Sequence, residues 1–157
     1  MPSVLVLFQS DTEATEQLAL AVAVGAVEAE ASIRLRRLAT PDAAEVAHKG
    51  YGQLQEADLL WADTIVVGLD SPTPRPNELD SLLHHLANLD PARLTGKQAW
   101  TFGPTGPVTA PSPAQALVEA ALEFAGITLI PTAPLNTTPD LPTRMKRAGR
   151  LSATPHA

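Results

Sequence analysis

Short apolar runs alternate with stretches of helical period along this chain, and that alternation leaves few folds open. Val4–Gln9 and Thr64–Leu69 are nearly continuous apolar runs, the pattern of strands covered on both faces. Ser32–Leu38 sets Ile33 and Leu35 against Arg34 and Arg36, as a half-exposed strand near a sheet edge does. Gln98–Phe102 and Thr128–Ile130 bring the number of strands to five. Helical patterns fall at Thr15–Glu30, at a short segment opened by Thr40-Pro41-Asp42 and running to Ala47, and at Asn77–Leu89, where Leu79, Leu82, Leu83 and Leu86 share a face. Two more fall at Ala114–Ala125 and Pro142–Leu151. Strands alternating with helices predict a parallel sheet with right-handed crossovers and helices on both faces. Ligands of such sheets sit beyond the carboxyl ends of the strands, where strand order reverses. That rule selects three loops that follow strands, Ser10–Thr15, Asp70–Pro76 and Gly103–Pro113, all rich in Ser, Thr, Gly or Pro.

The first loop carries the sharpest chemistry. Ser10, Thr12 and Thr15 place three hydroxyls where a buried strand feeds a helix start. Orphan N–H groups of a first helical turn and the helix dipole both favour an anion there. Two readings stand side by side. The hydroxyls are helix caps, with Thr12 as N-cap, or they hold a phosphate. Asp11 and Glu13 pull toward the first, because acids in a first turn satisfy the dipole themselves, by about 0.3–1 kcal/mol each.

Composition removes whole classes of function. The chain lacks cysteine, which excludes structural disulfides, thiolate chemistry and cysteine-ligated metals. Net charge is −6 with no dense basic patch, so no nucleic-acid partner is expected. Met1-Pro2-Ser3-Val4 lacks the basic start of a signal peptide, and the apolar run Leu18–Val27 is too short to span a bilayer. A cytoplasmic location with no membrane partner is the expectation. One domain over residues 1–153 is expected, with 154–157 a frayed tail.

Four stretches then point to a family. Ser10-Asp11-Thr12-Glu13-Ala14-Thr15 has the spacing of a flavin phosphate loop of the form Ser/Thr-x-Thr-Gly-x-Thr. The segment from Ala57 to Gly68 is similar to the lead into a third strand, and Asp70-Ser71-Pro72-Thr73 to a Gly-Ser-Pro-Thr flavin loop. Leu94-Thr95-Gly96-Lys97-Gln98-Ala99 and Gly103-Pro104-Thr105-Gly106 are similar to the segments around a fourth strand. On these the chain resembles the flavodoxin-like family, most of all the NAD(P)H:quinone oxidoreductases of the tryptophan-repressor-binding-protein type.

The resemblance implies a three-layer flavodoxin-like sandwich with a five-stranded parallel sheet. It also implies an FMN-dependent oxidoreductase passing electrons from NAD(P)H to a quinone-like acceptor. Carried over residue by residue, Ser10, Thr12, Glu13, Ala14 and Thr15 would surround the phosphate. Ser71, Pro72, Thr73 and Arg75 would line the ribityl chain and ring, and Thr105 and Gly106 the far edge of the ring. No side chain is expected as a catalytic acid or base, because the chemistry is the cofactor's.

Departures from the family set the alternative. Glu13 stands at the phosphate-loop glycine, adding a Cβ and a charge near a dianion. Pro74-Arg75-Pro76 replaces an aromatic and a glycine, and Pro107-Val108-Thr109-Ala110-Pro111 replaces a His-Gly-Gly stretch. The alternative is a flavodoxin-like protein that has lost FMN and serves as a binding or structural module. The same departures predict that any FMN is held weakly.

Elsewhere, Trp61 and Trp100 are read as core or lid residues ahead of stacking platforms. His84 and His85 are adjacent on a helix and share no face, so no metal site is expected. Arg144, Lys146, Arg147 and Arg150 form a basic helix face in an acidic chain. The charge-free stretch Leu18–Val27 is expected to contribute to a homo-oligomer interface, since a helix apolar all round is covered on more than one side.

Overall fold

Val4 to Phe8 are all fully buried, so the strand they form needs a layer on each side. The computed structural model describes residues 2–9, 13–38, 52–69, 76–103, 112–130 and 141–153. In chain order the elements are β1 (Ser3–Phe8), α1 (Glu13–Glu28), β2 (Ser32–Arg37), β3 (Gly52–Gln53), α2 (Glu56–Trp61) and β4 (Thr64–Gly68). There follow α3 (Pro76–Asn88), α4 (Pro91–Leu94), β5 (Gln98–Phe102), α5 (Pro113–Phe124), β6 (Thr128–Leu129) and α6 (Leu141–Ser152). The sheet order is β3-β2-β1-β4-β5-β6, and every neighbouring pair is parallel. All five expected strands form, and two-residue β3 extends the sheet beyond β2. The short helix expected from 40 to 47 and the tail 154–157 lie outside the described residues.

Alternation along the strands divides the core in two. Leu5, Leu7, Ile65, Val67 and Ala99 face one layer, where Leu59 of α2, Leu79, Leu82 and Leu86 of α3 and Val118 and Leu122 of α5 cover them. Val4, Val6, Phe8, Val66, Trp100 and Phe102 face the other, under Val22 and Ala26 of α1 and Met145 and Ala148 of α6. Trp100 is therefore core: its Nε1 donates to Ser152 Oγ at 2.7 Å beneath α6.

Helix α6 lies against α1 at very short range. A Cβ added at Gly25 would meet the Lys146 carbonyl oxygen at 1.9 Å, and one at Gly149 would meet that of Val22 at 2.0 Å. Two glycines thus let the backbones touch. Part of α1's outer surface is covered from within the chain, while Val24 and Val27 stay half-exposed. Helix α1 ends in a Schellman turn, Ala31 N–H to Ala26 O at 3.0 Å and Glu30 N–H to Val27 O at 2.9 Å, with Glu30 at φ 66°.

On the other face, α2 is anchored by Asp58. Its buried carboxylate accepts from Arg34 Nη1 at 3.0 Å, Arg36 Nε at 3.1 Å and the Gln55 N–H at 2.9 Å. Arg34 also lies 4.2 Å over the Trp61 ring, so Trp61 roofs this edge of the layer. The Lys97 ammonium closes the other end of α2 by donating to the Leu60 and Ala62 carbonyls.

Two substitutions test these contacts with opposite signs. Gly149→Ala gains about 1 kcal/mol in helix propensity but drives a methyl into the Val22 carbonyl, an overpacking cost of about 1–3 kcal/mol. A lower urea midpoint is the expected result. Glu30→Gly relieves a left-handed residue and is expected to raise stability by about 0.5–1 kcal/mol in the same assay.

Candidate functional site

The strand ends define the site. Phe8, Gly68 and Phe102 are in register across β1, β4 and β5, so the loops that follow all leave from one edge of the sheet. Beyond them the chain stays zipped: Gln9 N–H donates to Gly68 O at 3.0 Å, and Leu69 N–H to Phe102 O at 3.0 Å. Strand order reverses between the parallel strands β1 and β4, because β1 leads outward to β2 and β4 leads the other way to β5. A crevice at such a switch point is where doubly wound sheets take ligands.

Phe8 and Phe102 close the floor of this edge on the α1 side. Phe102 lies across Gly68, where an added Cβ would stand 2.3 Å from ring Cζ. Gln9, buried at the end of β1, is a polar group at the switch point that sequence reading did not single out. Its place directly after an apolar run was the available signal.

Helix α1 opens at Glu13, five positions beyond the last residue of β1. Glu13 and Ala14 are its first two residues, and Thr15, in the same turn, is fully buried. These three of the candidate phosphate residues therefore stand at a helix N-terminus beside the switch point. Ser10, Thr12, Ser71, Pro72, Thr73, Arg75, Thr105 and Gly106 lie outside the described residues. The strand ends from which their loops depart are those just described.

The root of the third loop is held by a polar chain on α5. Ser112 caps the helix, accepting from the Gln115 N–H at 3.2 Å, and Gln115 Oε1 accepts in return from the Ser112 N–H at 3.2 Å. The buried Gln115 amide donates to Thr101 Oγ1 at 3.1 Å, and Thr101 donates to Glu119 Oε2 at 3.2 Å. Ser-x-x-Gln is a capping box, so this anchor was legible in the sequence. Burial pushes the Glu119 carboxyl above the usual glutamate range; the Thr101 bond opposes the shift and the Glu123 carboxylate adds to it.

Among the described residues no group of three or more metal-ligating side chains gathers, and no helix is long and apolar enough to cross a membrane.

Comparison with solved structures agrees on this architecture. A flavodoxin from Streptococcus pneumonia matches with a TM-score of 0.66 at 17% identity, over 96% of this chain and 97% of its own. Oxidised flavodoxin 2 from Bacillus cereus matches with a TM-score of 0.63 at 19% identity, over 96% and 97%. A flavodoxin, WrbA-like protein from Agrobacterium tumefaciens matches with a TM-score of 0.62 at 18% identity, over 98% and 96%. No family model and no curated protein sequence matches the chain. The chain has the flavodoxin-like α/β fold.

The Glu119 shift gives a pH test. A carboxyl raised in the folded chain contributes stability that is present below the ordinary glutamate value, about 4.3, and lost as pH rises through the raised one. Glu119→Gln is therefore expected to melt higher than the unmodified chain at pH 7. The gap should close by pH 4, as thermal unfolding at the two pH values will show.

Proposed function

We propose that the chain is an FMN-binding redox protein that takes electrons from NAD(P)H and delivers them to a quinone-like acceptor. One observation carries the reading: the α1 N-terminus, with buried Thr15 in its first turn, stands beside the β1–β4 switch point of a flavodoxin-like sheet. The donor type there, backbone N–H groups of a first helical turn with the threonine Thr15 in it, fits a phosphate monoester.

In this reading the backbone N–H groups of the first turn, at Glu13, Ala14 and Thr15, bind the phosphate, joined by the hydroxyls of Ser10 and Thr12. Ser71, Pro72, Thr73 and Arg75 border the ribityl chain and ring, and Thr105 and Gly106 the opposite edge. Arg75 offers a planar cation to pair with phosphate or with negative charge on the ring. When bound, FMN supplies the two-electron chemistry; this chain's residues bind, orient and keep water from the ring. The whole is placed in the cytoplasm.

Glu13 sets the affinity. One carboxylate a few Å from the phosphate costs on the order of a few kcal/mol at an effective dielectric of about 20. Glu13→Gly removes that charge and the Cβ, and is expected to tighten FMN at least ten-fold, about 1.4 kcal/mol. Riboflavin, which lacks the phosphate, should gain much less. Flavin fluorescence quenching measures both. A purified protein without flavin absorbance, together with no quenching of FMN by either form, would overturn the proposal.

A further inference from the structure

The two helical layers carry unlike surfaces. Among the described residues the exposed large apolar side chains are Val24, Val27, Leu117 and Phe124, two on each side of the sheet. Phe124 is 92% exposed and Leu117 41%, and between them on α5 lie Ala120 and, one turn earlier, Ala116 and Pro113, all exposed. These positions recur at helical spacing, so α5 has a second apolar stripe opposite the one it buries. Across the sheet, Val24 and Val27 are 48% and 52% exposed and continue the half-buried Leu20 and Ala21 along α1.

The charges beside the stripes are opposite. Glu119 and Glu123 flank the α5 stripe, and among the described residues no cation pairs with either. Each is close enough to the other for Glu123 to help push the Glu119 carboxyl up. Beside the α1 stripe, Glu28 meets two cations, Lys146 Nζ at 3.4 Å and Arg150 Nη2 at 3.5 Å. With Arg147 these residues line an open cavity of about 370 Å³. Three cations and one carboxylate line that cavity.

We propose that copies of this chain associate front to back, the Leu117–Phe124 stripe of one seated on the Val24–Val27 stripe of the next, with Glu119 and Glu123 opposite Lys146, Arg147 and Arg150. Charge selects this arrangement over a two-fold one. Pairing α5 with α5 brings carboxylates together, and pairing α1 with α1 brings cations together; like charges across an interface are costly. The two surfaces lie on opposite sides of one sheet, so the contact is heterologous and leaves a free face at each end of any assembly.

Sedimentation equilibrium with two surface variants tests this. The unmodified chain is expected to gain average mass with concentration at about 50 mM salt and to lose it at about 500 mM, where the screening length falls to a few Å. Phe124→Lys blocks the α5 face and Val27→Asp the α1 face; both sites are exposed, and circular dichroism checks that each variant folds. Each alone should be a monomer. Mixed in equal amounts they should form a one-to-one pair, through the face each retains. A monomeric unmodified chain at several hundred micromolar would overturn the proposal, as would a mixture that stays monomeric. So would a dimer limit that Val27→Asp abolishes and Phe124→Lys leaves intact, because that is a two-fold pairing through α1.

Discussion

Burial of β1 on both faces is the constraint on which the rest of the molecule depends. Its residues from Val4 to Phe8 leave no side of the strand for water, so helices must lie above and below. A parallel sheet then needs a crossover for every strand, and the crossovers put all carboxyl ends on one edge. The site follows from this without any further device. The first helix begins where the central strand ends, and the switch point lies beside it because β1 and β4 send their connections in opposite directions.

Much of this was legible in the sequence, for physical reasons. A strand buried on both faces is apolar throughout, and Gln98–Phe102 and Thr64–Gly68 emerge within one residue of expectation. Helix α3 was equally clear, since Leu79, Leu82 and Leu86 are buried at helical spacing. What escaped was held by contacts between distant residues. Two-residue β3 exists because it pairs with Arg36 and Arg37, and four-residue α4 is fixed by its Asp90 cap and buried Leu94. Neither leaves a periodic pattern. Arg34 and Arg36 read as a solvent-facing edge, yet both reach Asp58, more than twenty residues away.

The candidate site was legible in outline and not in detail. Parallel strands alone choose the edge and the three loops, and the register of Phe8, Gly68 and Phe102 shows that edge in place. The buried polar groups at its margin, Gln9 and Gln115, were missed: the apolar run before Gln9 and the Ser-x-x-Gln pattern at Gln115 mark the positions, but neither says that the side chain is buried. The charge-free run Leu18–Val27 was read as needing cover. Part of the cover is α6, and the residues that allow it, Gly25 and Gly149, are unremarkable until the two helices are brought together.

The contact between α1 and α6 also bears on how the chain reaches its fold during synthesis. Helix α1 is complete by residue 28 and α6 begins at 141, so more than a hundred residues leave the ribosome between the two. Until Met145, Ala148 and Ser152 arrive, Val22, Ala26 and the Trp100 indole lack one wall of their core. Within this sequence the layer is closed only once the most distant of its helices is in place.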